Sequence, residues 1–294
     1  MAPPRKSPNS PRLSGVAPAA GVTVGLAACL VATLLCGCGA APSAPSRAEQ
    51  QTASLGQRAA KALEQGDLRR ARSLYLEALR IDASVENAEG VAINRINLAA
   101  VFEASGETEA AQRMLDAAMA GTPMATAARR AEAAARKALL YLAAADLARA
   151  GEAALQAHEL CKPDCAALAA ILNLRGRVAL GAGEALAALE WSARALAAAG
   201  GSDARTERAN ARRLAGEARL ATGEHAAAVQ SIEQALALDH ALGLPEKIEM
   251  DLTLLARAHE AMGERAAATA YQARAQAVRG ALTQSPQPPR RPAP

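Results

Sequence analysis

Small residues and helix breaks recur along the chain with a period of about 40 residues. Each break is a glycine or alanine followed by Asp or Glu, and apolar residues recur every three or four positions on both sides of it, as in a helix. A glycine can adopt the left-handed conformation that ends one helix, and an acidic residue favours the start of the next. The pattern predicts six helix–turn–helix units with turns at Gly66, Gly106, Ala145, Gly183, Gly223 and Gly263.

Each unit also carries small residues at three fixed positions. The first lies in the first helix, at Ala59, Ala99, Ala138, Gly176, Gly216 and Ala256. The second lies early in the second helix, at Ala71, Ala111, Ala150, Ala188, Ala228 and Ala268, and the third lies later in that helix, at Ala78, Ala118, Ala157, Ala195, Ala235 and Ala275. Small side chains let the two helices of a unit cross at short distance, so these positions predict closely stacked helical pairs.

Composition supports an all-α fold. Hydrophobic residues make up 51% of the chain but aromatic residues only 2%, and alanine, the best helix former, dominates the rest. A conventional enzyme core and a β-sandwich or barrel both need the branched and aromatic side chains that are scarce here.

The spacing of turns and small residues resembles the tetratricopeptide repeat (TPR), in a long-period form that lacks the family's tryptophan. This resemblance implies a right-handed α-solenoid of about six TPR-like helix–turn–helix repeats, whose concave face is lined by the first helix of each repeat. The solenoid is predicted to cover residues 52–279, with repeats at about 52–85, 92–120, 131–160, 169–198, 209–239 and 249–279.

The N-terminal region has the organisation of an export signal. Basic residues precede an uncharged apolar stretch that ends in small residues. The sequence Leu35-Cys36-Gly37-Cys38 resembles a bacterial lipobox, which implies a signal peptide at 1–37, cleavage before Cys38 and acylation of its thiol. Gly39 then implies outer-membrane sorting in a Gram-negative cell, with the protein facing the periplasm. An uncleaved signal anchor is the alternative, because the apolar run is long enough to span a bilayer.

Flexible segments are predicted at both ends of the solenoid. Residues 38–51 are expected to form a tether, and residues 280–294 a disordered proline-rich tail. The net charge of +4 includes three cations in residues 1–37 and two in the tail, which leaves residues 38–289 with a net charge of −1. A nucleic-acid partner is therefore not expected, because such proteins keep a basic surface on their folded part.

Chemical motifs are few. Cys161 and Cys165 are expected to form a disulfide between the third and fourth repeats, because exported thiols are normally oxidised; free thiols and a metal or redox site are the alternatives. The four histidines share no metal-ligand spacing, and no nucleophile elbow or phosphate-binding loop is present. The sequence therefore predicts no metal, no cofactor and no enzymatic activity.

The concave face offers a candidate binding groove. Arginine pairs well with carboxylates, so an extended peptide that carries acidic groups or a free C-terminus is a plausible ligand, although the same residues could simply be solvated. The expected groove residues are Asn173, Arg177, Asn210, Arg213, Glu217, Arg257 and Glu260.

Together these patterns predict a membrane-anchored scaffold or assembly factor of the bacterial envelope, bound to the membrane through its lipid and to an envelope protein or extended peptide through its groove. The alternative is an envelope regulatory subunit that recognises a peptide or peptidoglycan fragment.

Overall fold

The computed structural model describes residues 44–120, 126–161, 165–201 and 204–284, and these ranges contain twelve α-helices and no strand. The described residues from Pro45 onward form one compact unit, with a core built from its own helices. The helices are α1 Arg47–Glu64, α2 Leu68–Ser84, α3 Ala88–Ala104, α4 Thr108–Ala120, α5 Ala127–Ala143, α6 Leu147–Leu160, α7 Leu168–Gly181, α8 Ala185–Ala198, α9 Arg205–Thr222, α10 His225–Leu242, α11 Pro245–Ala261 and α12 Arg265–Gln284.

The helices pair in sequence, α1 with α2 through α11 with α12, and each pair stacks on the next. Consecutive odd-numbered helices contact one another, whereas consecutive even-numbered helices of the described chain make no comparable contact. The odd-numbered helices therefore form the inner, concave layer of the array. This arrangement confirms the predicted all-α solenoid of six helical hairpins.

The hairpin turns have the predicted left-handed residue. Gly66 has φ +72°; its N–H donates to the carbonyl of Leu63, and the N–H of Asp67 donates to that of Ala62. This is the Schellman arrangement, which satisfies carbonyls left over at a helix end. Asp67 then caps α2, because its side chain accepts a hydrogen bond from the N–H of Arg70 at 3.1 Å. One Gly-Asp dipeptide thus ends one helix and starts the next.

Close helix packing depends on the small residues that the sequence pattern singled out. All eighteen of these positions are buried. A Cβ added to Gly176 would overlap Leu214 Cδ2, and one added to Gly216 would overlap Ile232 Cγ1. A larger residue at either of these two helical positions would therefore force a neighbouring side chain to move.

The core is unevenly distributed along the solenoid. One continuous cluster of buried apolar side chains runs from Leu55 through Phe102 and Leu115 to Leu140, and so joins the first two repeats to α5. A second cluster, centred on Leu252 and Leu255, joins the last three helices to α9. Between them the core is divided into four smaller clusters that are rich in alanine.

Two joints between repeats contain a buried aspartate. Asp82, near the end of α2, accepts hydrogen bonds from Asn87 Nδ2 at 2.8 Å and from Asn94 Nδ2 at 2.7 Å. Asp239 occupies the same place near the end of α10, and the residue twelve positions after it, Asp251, takes the place of Asn94. Asp82 and Asp239 are both 1% exposed.

The ends of the solenoid differ from the prediction. Helix α1 begins at Arg47, within the predicted tether of 38–51, because Ser46 and Glu49 form a capping box: Glu49 N–H donates to Ser46 Oγ, and Ser46 N–H donates to Glu49 Oε2. Helix α12 continues to Gln284, five residues into the predicted disordered tail. The remainder of that tail and the predicted signal peptide with Cys38 lie outside the described residues.

Candidate binding cavity on the concave face

A cavity of about 350 Å³ lies on the concave face, between the inner helices α5, α7, α9 and α11. Apolar side chains, among them Leu139, Leu174, Leu214 and Met250, form part of its wall. The structure brings five of the seven predicted groove residues together there, namely Asn173, Arg177, Asn210, Arg213 and Glu217.

Asn173 presents an unpaired acceptor at this cavity. The residue is 4% exposed, and its Nδ2 donates to Glu207 twice, to the main-chain oxygen at 3.0 Å and to Oε2 at 2.8 Å. These bonds fix the orientation of the Asn173 amide, because both partner atoms are oxygens that can only accept. Glu207 Oε2 also accepts from Asn210 Nδ2 at 3.4 Å. Asn173 Oδ1 is buried and has no hydrogen-bond partner among the described residues. Such an oxygen favours a ligand with an N–H or O–H donor.

Arg213 has a different role from the one the sequence suggested. It is 4% exposed and lies between two buried carboxylates: Nε donates to Asp251 Oδ1 at 2.6 Å, and Nη2 forms an ion pair with Asp239. Nη1 donates to Asn210 Oδ1 at 3.1 Å. The guanidinium thus bridges the two carboxylates of the α10–α11 joint and orients Asn210. The prediction that Arg213 offers its charge to a ligand is therefore wrong, because that charge is paired with Asp239 and Asp251.

The cavity is also lined by three charged side chains, Arg177, Glu217 and Lys247, which form no ion pair within the described chain. Burial raises the pKa of Glu217 even though Arg213, Arg177 and other cations oppose the shift. Burial, together with the neighbouring arginines, lowers the pKa of Lys247. Arg177 is exposed at the rim. The cavity thus combines apolar walls, a buried acceptor without a hydrogen-bond partner in the described chain, and two cations, Arg177 and Lys247, that lie near the Glu217 carboxylate without forming an ion pair there.

Two predicted groove residues do not line the cavity. Arg257 and Glu260 are exposed farther along α11. Conversely, the sequence interpretation missed Glu207 and Lys247. Both lie in the first turn of an inner helix, ahead of the predicted repeat starts at 209 and 249. The N1 proline of α11, Pro245, is the signal that would have placed that helix start correctly.

Cys161 and Cys165 lie at the joint between α6 and α7, where a disulfide connects them with their Cα atoms 5.3 Å apart. Cys161 is buried against Ala131, Ala157 and Ile171. The oxidation of this pair in the cell stays a prediction. Within the described ranges no group of three or more His, Cys, Asp or Glu side chains is arranged to hold a metal ion, and no helix is both long and apolar enough to cross a membrane.

No protein-family model and no curated protein sequence matches this chain. Solved structures do match. The apo form of RapI is 14% identical with a TM-score of 0.63, over 83% of this chain and 88% of that one. PilW, described as a widely conserved type IV pilus biogenesis factor, is 18% identical with a TM-score of 0.60, over 81% and 96%. A Rap protein complexed with Competence and Sporulation Factor is 13% identical with a TM-score of 0.58, over 80% and 67%.

At these identities the likeness concerns the fold alone. The six hairpins, their left-handed turns and their buried small residues agree with it. The chain is therefore a right-handed α-solenoid of TPR-like repeats.

Proposed function

We propose that this protein is a membrane-anchored scaffold or assembly factor of the bacterial envelope, which binds an extended segment of a protein partner in its concave cavity. TPR-like solenoids of this kind suit protein–protein interaction, and one structure with this fold, PilW, is described as a pilus biogenesis factor. No enzymatic step and no nucleic-acid partner are assigned to the chain.

The observation that carries the binding proposal is the Asn173 oxygen, which has no hydrogen-bond partner among the described residues, beside two cations that form no ion pair with any of them. Leaving a buried acceptor unpaired costs about 1–3 kcal/mol, which a ligand donor recovers on binding. A peptide main chain supplies N–H donors, and an acidic side chain or free C-terminus supplies a carboxylate for Arg177 or Lys247. The apolar wall, including Leu174 and Met250, suits the side chains between these groups.

The cavity volume favours a second candidate function. At about 350 Å³ it lies within the range of small-ligand sites. A regulatory subunit that binds a short peptide or a peptidoglycan fragment would use the same donor and carboxylate chemistry. The nature of the bound molecule separates the two functions: a stoichiometric protein partner supports the scaffold, and a bound glycan or free peptide supports the regulatory subunit.

The anchor is proposed from the lipobox-like sequence that ends at Cys38, with the protein on the outer membrane and facing the periplasm. Growth with labelled palmitate tests it. Label should enter the wild-type chain and be absent from Cys38→Ser. Equal labelling of both chains, or of neither, would contradict lipid anchoring.

The groove is tested with the double variant Arg177→Ala/Lys247→Ala. Arg80→Ala/Arg265→Ala is the matched control, because it removes the same charge from exposed positions on the outer helices α2 and α12. Partners are captured by cross-linking in intact envelopes, and binding to the purified partner is then measured by calorimetry. A hydrogen bond to a charged group contributes about 1.5–3 kcal/mol, so the groove variant should bind at least tenfold more weakly. Equal affinity of the groove and control variants would refute the groove.

A further inference from the structure

One face of α1 carries three cations and no acidic residue. Arg47, Ser54, Arg58 and Lys61 recur at helical spacing on this face and are all exposed. With Gln51 and Gln65 they form a row that contains no acidic residue; we call it the α1 stripe. At 1.5 Å per residue it extends for about 27 Å, so it follows the whole helix.

A fourth cation, Arg70 at the start of α2, joins the stripe. It lines an open cavity of about 380 Å³ together with Arg58 and Lys61. Within the described chain none of these three side chains, nor that of Arg47, forms an ion pair. The nearby carboxylate of Asp67 accepts the capping hydrogen bond that starts α2. Positive charge is therefore concentrated here although residues 38–289 carry a net charge of −1.

The α1 stripe occupies the stacking face of the repeat. Forty residues farther on, the positions equivalent to Ser54, Arg58 and Lys61 are Asn94, Leu98 and Val101, which are buried against the preceding repeat. The same positions in the last repeat, Asp251, Leu255 and Ala258, are also buried. In α1 no described residue covers this face, and cations stand at two of the three positions, Arg58 and Lys61, where these later repeats have apolar residues. A terminal repeat needs a polar outer face, but that need alone does not specify one sign of charge.

The helix that carries this face begins close in sequence to the proposed lipid anchor. Ser46, the N-cap of α1, follows Cys38 by eight residues, and such a segment spans at most about 29 Å. An acylated chain therefore keeps the beginning of α1 close to the bilayer. Anionic phospholipids attract Lys and Arg within about a Debye length of the surface.

We propose that the α1 stripe, together with Arg70, lies on the surface of an anionic phospholipid membrane, so that the bilayer covers the open end of the solenoid. This proposal depends on the proposed function in one respect, because the lipid anchor is what brings α1 to the membrane. Each cation near such a surface strengthens binding about fivefold. The loss of three cations should therefore weaken partitioning about 100-fold.

The test uses the unacylated mature chain, residues 39–294, exported behind a cleavable signal peptide. Its partitioning is measured by sedimentation with vesicles of phosphatidylcholine alone and of phosphatidylcholine mixed with phosphatidylglycerol. The stripe variant is Arg58→Gln/Lys61→Gln/Arg70→Gln. The control, Arg113→Gln/Arg265→Gln/Arg274→Gln, removes the same charge from exposed positions elsewhere. Thermal unfolding followed by circular dichroism checks that all chains are folded.

The wild-type and control chains should bind the mixed vesicles, more weakly as ionic strength rises, and the stripe variant should lose about 100-fold. Equal binding to both vesicle types, or equal losses in the stripe and control variants, would overturn the proposal. So would retention by an acidic envelope protein without any preference for phosphatidylglycerol. Failure of palmitate labelling at Cys38 would remove the anchor and leave this vesicle result intact, so the two proposals can fail separately.

Discussion

Ala145 stands where the other five hairpin turns have glycine, and its φ is +57°. An alanine in the left-handed region costs about 1–2 kcal/mol, because its Cβ approaches the following carbonyl oxygen. Glycine removes that strain but increases the entropy of the unfolded chain, at a cost of about 0.5–1 kcal/mol. The balance predicts that Ala145→Gly stabilises the protein by about 0.5–1 kcal/mol.

The reverse substitution tests the same reasoning. Gly183 has φ +81°, and a Cβ built there meets nothing within 4 Å, so Gly183→Ala carries the conformational cost without a clash. It should destabilise by about the amount that Ala145→Gly gains. Ala144 is the matched control, because the structure holds it at φ −84°. Its backbone has no strain for a glycine to relieve, so Ala144→Gly should give no gain.

Thermal unfolding of the three purified variants measures these effects. For a chain of this size 1 kcal/mol corresponds to about 2–4 °C in Tm. We expect Ala145→Gly to melt about 1–4 °C above the wild type, and Gly183→Ala to melt below it by a similar margin. A lower Tm for Ala145→Gly, or an equal rise for Ala144→Gly, would refute the account of these turns.

Three further outcomes are expected. Gly216→Ala should cost about 0.5–2 kcal/mol in urea unfolding, because the overlap of the new methyl with Ile232 Cγ1 outweighs the gain of about 0.5–1 kcal/mol from replacing a glycine inside a helix; a neutral result would mean that the helices separate freely. Burial raises the pKa of Asp251 to about 7, so between about pH 4 and pH 7 the native state keeps a proton that the unfolded chain releases. The free energy of unfolding should therefore fall as pH rises from about 4 to about 7 and then level off. The opposite slope in pH-dependent melting would contradict this assignment. Cys161→Ser/Cys165→Ser should lose about 2 kcal/mol, and reductant should lower the Tm of the wild type but not of this variant.

The regular parts of the fold could be predicted because they depend on local chemistry. The left-handed turn at Gly66 and the close packing at Ala71 each restrict the residue type at a single position. The same restriction recurs in every repeat, so it is visible in the sequence as a period. The helix starts were misplaced because the prediction followed the periodic small residues and not the caps. The capping box of Ser46 and Glu49 is visible in the sequence and would have placed the start of α1 correctly.

The candidate site was predicted less completely because its polar contacts join different repeats. Arg213 was recognised as an inner-helix arginine, but its partners Asp239 and Asp251 are 26 and 38 residues away. Periodicity does not reveal ion pairs between unlike positions. Aligning Asp239 with Asp82 across repeats would have indicated a buried aspartate in both joints.

The uneven core has a mechanical consequence. The continuous cluster from Leu55 to Leu140 includes α1, the helix at which a pull through the proposed lipid anchor would enter the solenoid. Under such tension, unravelling would begin in the alanine-rich middle, where the buried clusters are small, while the attachment end keeps its shape. A load between the proposed partner and the proposed anchor would therefore extend the array at its centre before it unfolded α1.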